Sequence, residues 1–364
     1  MYVSDGGSEA YESIYPRKLV HRGGAVRVPE IVLSTILLLF GVSVQYAQEP
    51  SNSRSRITSE EDFRRAFKEL SNWGRWGDND QLGAANFITP EKRKQAIALA
   101  KEGVTVSLEH DVPQEKEVDT PSYLERTLLN VTPSGTADRY AYTGTYHSTI
   151  HSHMDAVDCH IMVDGKGYNG VSMEEIKSAG GCPRGDITAL KDGVVTRGIL
   201  FDATKLPGKA TPQGWLEPGA AIHREDLEAL EKLEHVRVSP GDVILLYTGR
   251  WKRRAALGPW PPATGYAGYH ADVAYFLKER SVSFTGTDGP NDVIPSGFDL
   301  PQSLSYPYHR LALAALGVDL FDNLDYERAV EQARRLNRYE FLFVAAPLRI
   351  DKGTGSPLNP LAIF

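Results

Sequence analysis

At 364 residues, with 41% hydrophobic and 24% charged residues, the chain has room for a sizeable buried core in one large domain or two ordinary ones. A formal charge of −7 and the lack of any strongly basic domain exclude nucleic acid as the main partner. The two cysteines, Cys159 and Cys182, exclude a disulfide scaffold and a CxxC thiolate zinc site; they read as free or buried thiols, with a single bridge left open if the protein is exported.

The N-terminal stretch "VPEIVLSTILLLFGVSVQYAQEPSNSRSR" carries an apolar run from Ile31 to Val44, preceded by Arg22 and Arg27. It is too short for a membrane span and matches a signal-peptide core with cleavage expected after Ala47. Residues 1–55 are therefore expected to be a leader and linker, and the protein to be exported, periplasmic or secreted. Without a genuine leader it would be cytoplasmic, and only an uncleaved leader would hold it at a membrane. Residues 56–364 are expected to form a single domain.

The first helix is expected in "TSEEDFRRAFKEL", where Thr58 and Glu61 have capping-box spacing and Phe63, Phe67 and Leu70 recur at helical spacing. The second is expected in "ITPEKRKQAIALAKEG", with Thr89 as N-cap, Pro90 in the first turn and Gly103 just past the end. "DRYAYTGTYHSTIHSHMDA", rich in Tyr, Thr and Ile, reads as a strand or a bent strand pair. Short apolar strands follow at 198–202, 242–249, 282–288, 318–324 and 339–348. Helices are expected between them at 224–233, 269–280, 307–317 and 324–336. This alternation predicts an α/β protein with a mixed, partly parallel sheet and a ligand site at the loops that follow its strands.

Four of the ten histidines, His147, His151, His153 and His160, fall in one short window around Asp155. On an extended strand His147, Thr149, His151, His153 and Asp155 would share a face. Imidazole and carboxylate at that spacing make a nitrogen and oxygen donor set, suited to zinc, manganese or iron. The plain alternative is a His-rich strand with a solvated edge. His21, His110, His223, His235 and His270 read as surface or packing residues.

The segment "HSTIHSHMDAVDCHIMVDGKGYNG" resembles the metal-binding segment of the cyclase family that includes bacterial kynurenine formamidases and isatin hydrolases. His147, Thr149, His153, Asp155, Ala156 and the run 164–170 match its longer branch. Further blocks match in order over roughly residues 72–364, among them "WGRWGDNDQLGAANFITPEKRKQAIALAKEGVTVSL", "VSPGDVILLYTG" and "FLFVAAPLRIDKGTGSPLNPLAIF". The chain departs from the pattern in four places. Ser148 replaces a glycine, His151 stands where the branch usually has something small or apolar, one extra residue separates Asp155 from His160 with Asp158 or Cys159 expected to bulge, and Asp322 stands where formamidases have Glu.

The resemblance implies the family's swivelling β/β/α-type fold. It also implies a divalent cofactor, zinc or manganese: His147, His153 and Asp155 would hold one ion and His309 and Asp322 a second, with Asp155 bridging. His160 would move protons, and His151 would be an extra ligand, a support or neither. The implied activity is hydrolysis of a carbon–nitrogen amide bond, of an aryl formamide or a cyclic amide. A lactone or other cyclic-ester hydrolase on the same metal, and a non-catalytic exported metal-binding protein, are the competing readings. Trp76, Trp251 and Asp288 are candidate substrate-binding residues, with Trp73, Trp260, Tyr266 and Tyr269 as further aromatic candidates. Arg250 is either a carboxylate clamp or a surface residue. The expected partner is a small molecule, within a homo-oligomer, dimer or tetramer.

Overall fold

The computed structural model describes residues 56–364; the leader expected at 1–55 lies outside the described residues. In chain order the strands are β1 (Thr105–Ser107), β2 (Leu124–Thr132), β3 (Gly135–Tyr142), β4 (His153–Asp155), β5 (Val194–Asp202), β6 (Ala221–Ile222), β7 (Val243–Tyr247), β8 (Gly268–Tyr269), β9 (Phe284–Thr287), β10 (Asp319–Asp322), β11 (Glu340–Ala345), β12 (Gly355–Pro357) and β13 (Leu361–Ile363). The helices are α1 (Glu60–Leu70), α2 (Pro90–Ile97), α3 (Met173–Ala179), α4 (Arg224–Leu233), α5 (Arg250–Leu257), α6 (Val273–Arg280), α7 (Pro307–His309) and α8 (Glu327–Leu336); α7 runs on as a π-helix over Arg310–Leu316. Among the described residues no helix is long and apolar enough to cross a membrane.

Nine strands form one mixed sheet in the order β1-β13-β11-β5-β7-β9-β10-β4-β12. Its centre, β5-β7-β9-β10, is parallel, and both flanks are antiparallel. β7, "VILLY", is buried at every position, as a central strand covered on both faces must be. Successive residues serve opposite cores. Ile199, Phe201, Ile244 and Leu246 face one layer with Phe63, Leu70, Leu227, Phe276 and Leu311, contributed by α1, α4, α6 and the 307–316 helix. Leu200, Leu245, Tyr247, Phe284 and Phe321 face the other, with Ala329, Val330 and Phe341.

Two local expectations shift. The cap of α1 is Ser59 rather than Thr58: its side chain accepts from the Asp62 backbone N–H, while the Thr58 N–H and hydroxyl donate back to the Asp62 carboxylate. α2 keeps Thr89 and Pro90 at its start but ends at Ile97, well before Gly103.

The larger correction concerns the histidine segment. β3 ends at Tyr142, residues 143–152 are turns and bends, and only His153–Asp155 is strand. One extended face therefore does not carry His147, Thr149 and His151 together with His153 and Asp155. Strand propensity loses here because the 143–152 backbone bonds to groups outside any ladder. Asn323 donates to the Ser148 and His151 carbonyls, and Arg250 donates to the Thr149 carbonyl.

Candidate metal centre

β4 lies antiparallel to β10 with His153 opposite Asp322 and Asp155 opposite Leu320. Opposed and alternate residues share a face, so His153, Asp155 and Asp322 project together. Asp322 ends β10, and the loop after β9 supplies Pro290, Asn291 and Asp292. The site thus sits at the carboxyl ends of the parallel strands, where such sheets leave a crevice. His147 arrives from the loop before β4 and His309 from α7. His160 returns after a turn over residues 157–159 that absorbs the extra residue of the spacing.

The six side chains converge. His147 Nδ1 lies 2.8 Å and His153 Nε2 3.3 Å from Asp155 Oδ1. His160 Nε2 lies 3.4 Å and His309 Nε2 3.6 Å from Asp155 Oδ2. Asp322 Oδ2 is 3.2 Å from His309 Nε2 and 3.6 Å from His153 Nε2, so the shorter Asp side chain still reaches both rings. Two triads that could hold a metal emerge, His147–His153–Asp155 and Asp155–His309–Asp322, sharing Asp155.

Three of the rings are held from behind. His153 Nδ1 donates to the His151 carbonyl at 2.8 Å, His309 Nδ1 to the Asp292 carboxylate at 2.5 Å, and His147 Nε2 bonds the Thr354 hydroxyl at 2.9 Å. Such outward bonds orient each ring and turn its other nitrogen towards Asp155 and Asp322, the usual arrangement behind a metal-binding imidazole. Asp292 also accepts from the Tyr308 and His309 backbone N–H groups, which fixes the entry of α7. Asn291 donates to Asp322.

Both Asp155 oxygens and His147 Nδ1 are buried without a hydrogen bond of acceptable geometry. A buried carboxylate left so is costly unless a cation sits between it and its neighbours, and the residues fit one. Burial opposes charge on Asp155, but the His160 and His153 imidazoles outweigh it and hold the carboxyl well below its usual range. Burial likewise opposes charge on His309, yet Asp322 and Asp292 draw positive charge there and raise its imidazole well above the ordinary value. His160 behaves oppositely: burial pushes it down to about 4, with Asp155 only partly opposing.

A cavity of about 190 Å³ opens over the cluster, lined by His147, Ser148, Thr149, His153, His160, Ile161, Pro290, Tyr306, His309 and Asp322. Trp76, Trp251 and Asp288 do not line it. Trp76 packs edge-on against Phe87, and Trp251 stacks on His110 at 3.5 Å and donates to the Leu324 carbonyl. Asp288 is buried at the start of α5, accepting from the Thr248, Gly249 and Arg250 backbone N–H groups; burial nevertheless pushes its carboxyl up to about 7. Arg250 is also buried, its guanidinium donating to Asn323, the Thr149 carbonyl and the Asp288 carbonyl. It braces the loop under the site and is not a surface residue. His151 turns away, with Nε2 on the Ser122 carbonyl at 2.8 Å, and stands outside both triads.

Sequence reasoning missed Tyr306, Ile161, Pro290, Asn291 and Asp292. "TGTDGPND" offered two aspartates, and the one at the strand end drew attention from the one four residues on. A signal did exist for Tyr306: it precedes a proline at a helix start. Its φ of 59°, rare for an aromatic residue, accompanies a place at the cavity wall.

Fold and site together define an α/β protein with a buried imidazole–carboxylate centre at the strand ends of a curled mixed sheet. The chain belongs to the cyclase family: the family model described as "Putative cyclase" matches residues 95–291, more than half of the chain. A crystal structure of a novel cyclase is 26% identical, with a TM-score of 0.69 over 82% of this chain and 99% of its own. Isatin hydrolase A from Labrenzia aggregata, bound to benzyl benzoate, is 21% identical, with a TM-score of 0.52 over 74% of this chain and 97% of its own. An isatin hydrolase bound to the product analogue thioisatinate is 18% identical, with a TM-score of 0.51 over 76% and 99%. These two share the fold. A comparison with curated proteins finds no match.

Proposed function

We propose that the protein is a metal-dependent hydrolase that cleaves a carbon–nitrogen amide bond of an aryl formamide or a cyclic amide. The observation that carries this reading is Asp155, a fully buried carboxylate with no hydrogen bond, shared by two triads of ligand atoms under an open cavity. His147, His153 and Asp155 would hold one divalent ion, zinc or manganese, and Asp155, His309 and Asp322 a second. When bound, such an ion acidifies a water from a pKa of 15.7 towards about 7 and polarises a carbonyl oxygen.

The chain's own residues do the rest. His160 stays neutral at neutral pH because burial disfavours its charge, so its Nε2 can take a proton and pass it to the leaving nitrogen. Asp292 keeps His309 Nδ1 protonated and its Nε2 turned inward. Ile161, Pro290 and Tyr306 give the cavity an apolar wall, suited to a flat ring beside the scissile bond. The substrate class leans on the isatin hydrolases that share the fold, since isatin is itself a cyclic amide.

Export and self-association belong to the same proposal. Cys159 and Cys182 pair as a disulfide with Cα atoms 5.7 Å apart, the bridge that the sequence left open for an exported protein beside the reading of free or buried thiols, and a bridge suits an oxidising compartment. The β2–β3 hairpin leads straight into the His147 loop and exposes Leu129 by 57% and Val131 by 67%, which suits a contact between copies.

The test combines metal content with turnover. Wild-type protein is expected to carry zinc or manganese and to hydrolyse an aryl formamide or a cyclic amide. His160→Ala should keep the metal and lose about 10²–10⁴-fold in kcat. Turnover that survives unchanged in His160→Ala would remove the assigned proton carrier. No turnover on formamides, cyclic amides or lactones by metal-loaded wild type would sink the hydrolase reading.

A further inference from the structure

A second His–His–carboxylate group stands outside the cavity just described. β6 and β8 pair in parallel, Ala221 with Gly268 and Ile222 with Tyr269, so the next residue of each strand, His223 and His270, come side by side with ring centroids 4.5 Å apart. His223 then caps α4, and Asp272 precedes α6. His223 Nδ1 lies 2.8 Å and His270 Nδ1 2.9 Å from the same oxygen, Asp272 Oδ2. One ligand atom from each residue falls within 4.8 Å of the other two. His270 and Asp272 are buried, while His223 opens on a cleft of about 590 Å³ lined also by Thr58, Lys209, Glu225 and Asp226.

We infer that His223, His270 and Asp272 bind a divalent transition-metal ion of the zinc class, separately from the centre around Asp155. Two imidazole nitrogens and one carboxylate oxygen are a common three-ligand zinc set, and the cleft leaves a fourth position for water. With bonds of about 2.0–2.1 Å, tetrahedral ligand atoms stand roughly 3.3–3.4 Å apart, so the observed contacts need open by only about 0.5 Å. Two cations, Arg56 and Lys209, line the cleft, and Lys209 does not compete for the carboxylate: its Nζ is held by Asp226 at 2.8 Å and by the Ala221 carbonyl at 2.7 Å. The ion would tie β6 to the start of α6. It would also steady Tyr269, whose backbone bonds Asn291 at 2.7 Å and Val293 at 3.0 Å, on either side of the Asp292 that holds His309. The site is a clamp, and no reaction step passes through it.

The experiment strips the full-length protein of metal, reloads it with zinc alone, removes excess by gel filtration and counts zinc per chain. His223→Gln is expected to lose about one zinc relative to wild type, and His270→Ala the same ion. Asp155→Asn should lose zinc from the other centre and keep this one. Half-exposed His223 makes His223→Gln the variant expected to fold, checked by circular dichroism, so a poorly folded His270→Ala does not decide the matter. Equal zinc in wild type and His223→Gln overturns the site. Loss in Asp155→Asn alone would leave the proposed hydrolase centre standing and this clamp refuted.

Discussion

Asp155 contributes two oxygens to six converging side chains and receives no hydrogen bond in return, so its isostere is the most informative change. Asp155→Asn keeps the shape but removes the charge that both triads share. Bound zinc or manganese per chain, read by elemental analysis, is expected to fall sharply, with activity following. Retained metal would show that the charge of Asp155 does not hold the ion. A second prediction at this scale lies away from the site. Glu234, buried at the end of α4, accepts from the Asp202 N–H at 2.9 Å, yet burial pushes its carboxyl from 4.5 up to about 8. Between those values the folded state holds a proton that the unfolded state has lost, so this group's contribution to stability is full below 4.5 and fades as pH rises through about 8. Glu234→Gln, which keeps an acceptor for Asp202, should melt at a higher temperature than wild type at pH 8 and show a flatter slope above pH 5. Parallel melting curves across that range would refute this.

β12 closes the sheet beside β4, pairing Gly355 with Asp155 and Pro357 with His153. A Cβ on Gly355 would meet the Met154 carbonyl at 2.3 Å and His147 Cε1 at 2.9 Å. The strand edge that seats His147 therefore depends on a missing side chain. Gly355→Ala is expected to cost about 1–3 kcal/mol, as overpacking of a tight site does, and to weaken metal affinity by displacing His147. Chemical denaturation and a metal titration report the two effects separately; unchanged values in both would mean that β12 moves aside freely. Arg250 and Asn323 act at the same scale. Neither lines the cavity, but together they hold the 148–151 loop through its carbonyls, which accounts for a loop where strand propensity predicted strand.

At the scale of the whole molecule, metal and fold are linked. An ion that binds only the folded chain stabilises it by about 2.7 kcal/mol when its free concentration is about 100 times Kd. A chelator should lower the melting temperature of wild type by several degrees and that of Asp155→Asn by less. An equal drop in both would place the stabilising ion elsewhere. The β2–β3 hairpin is exposed along almost its whole length, and its apolar tip residues are where a second copy is proposed to pack. Leu129→Asp with Val131→Asp is expected to shift a dimer or tetramer to a smaller species in light scattering, with the fold intact. An unaltered mass would exclude the hairpin as the contact.

Local pattern placed most of the framework: β7 is a continuous apolar run because both its faces are buried, and β5, β9, β10 and β11 each lie within a short segment rich in apolar or β-branched residues, readable without knowing its neighbours. The chemistry of His147, His153, Asp155 and His160 was legible too, because imidazoles crowd one short window. His309 and Asp322, which periodicity cannot single out, came only through the family resemblance. Aromaticity misled where it stood alone. Trp76 and Trp251 are packing residues because indole rings bury well wherever a core has room, and a sequence does not say which core. Tertiary structure decided what depends on direction: that His151 turns to the Ser122 carbonyl while its neighbours turn inward, that Asp292 stands behind His309, and that β6 and β8 bring His223 beside His270 across 47 residues of chain. The reason is physical. Apolar pattern follows from each segment's own burial, whereas the aim of a polar side chain is set by partners that only folding brings within reach.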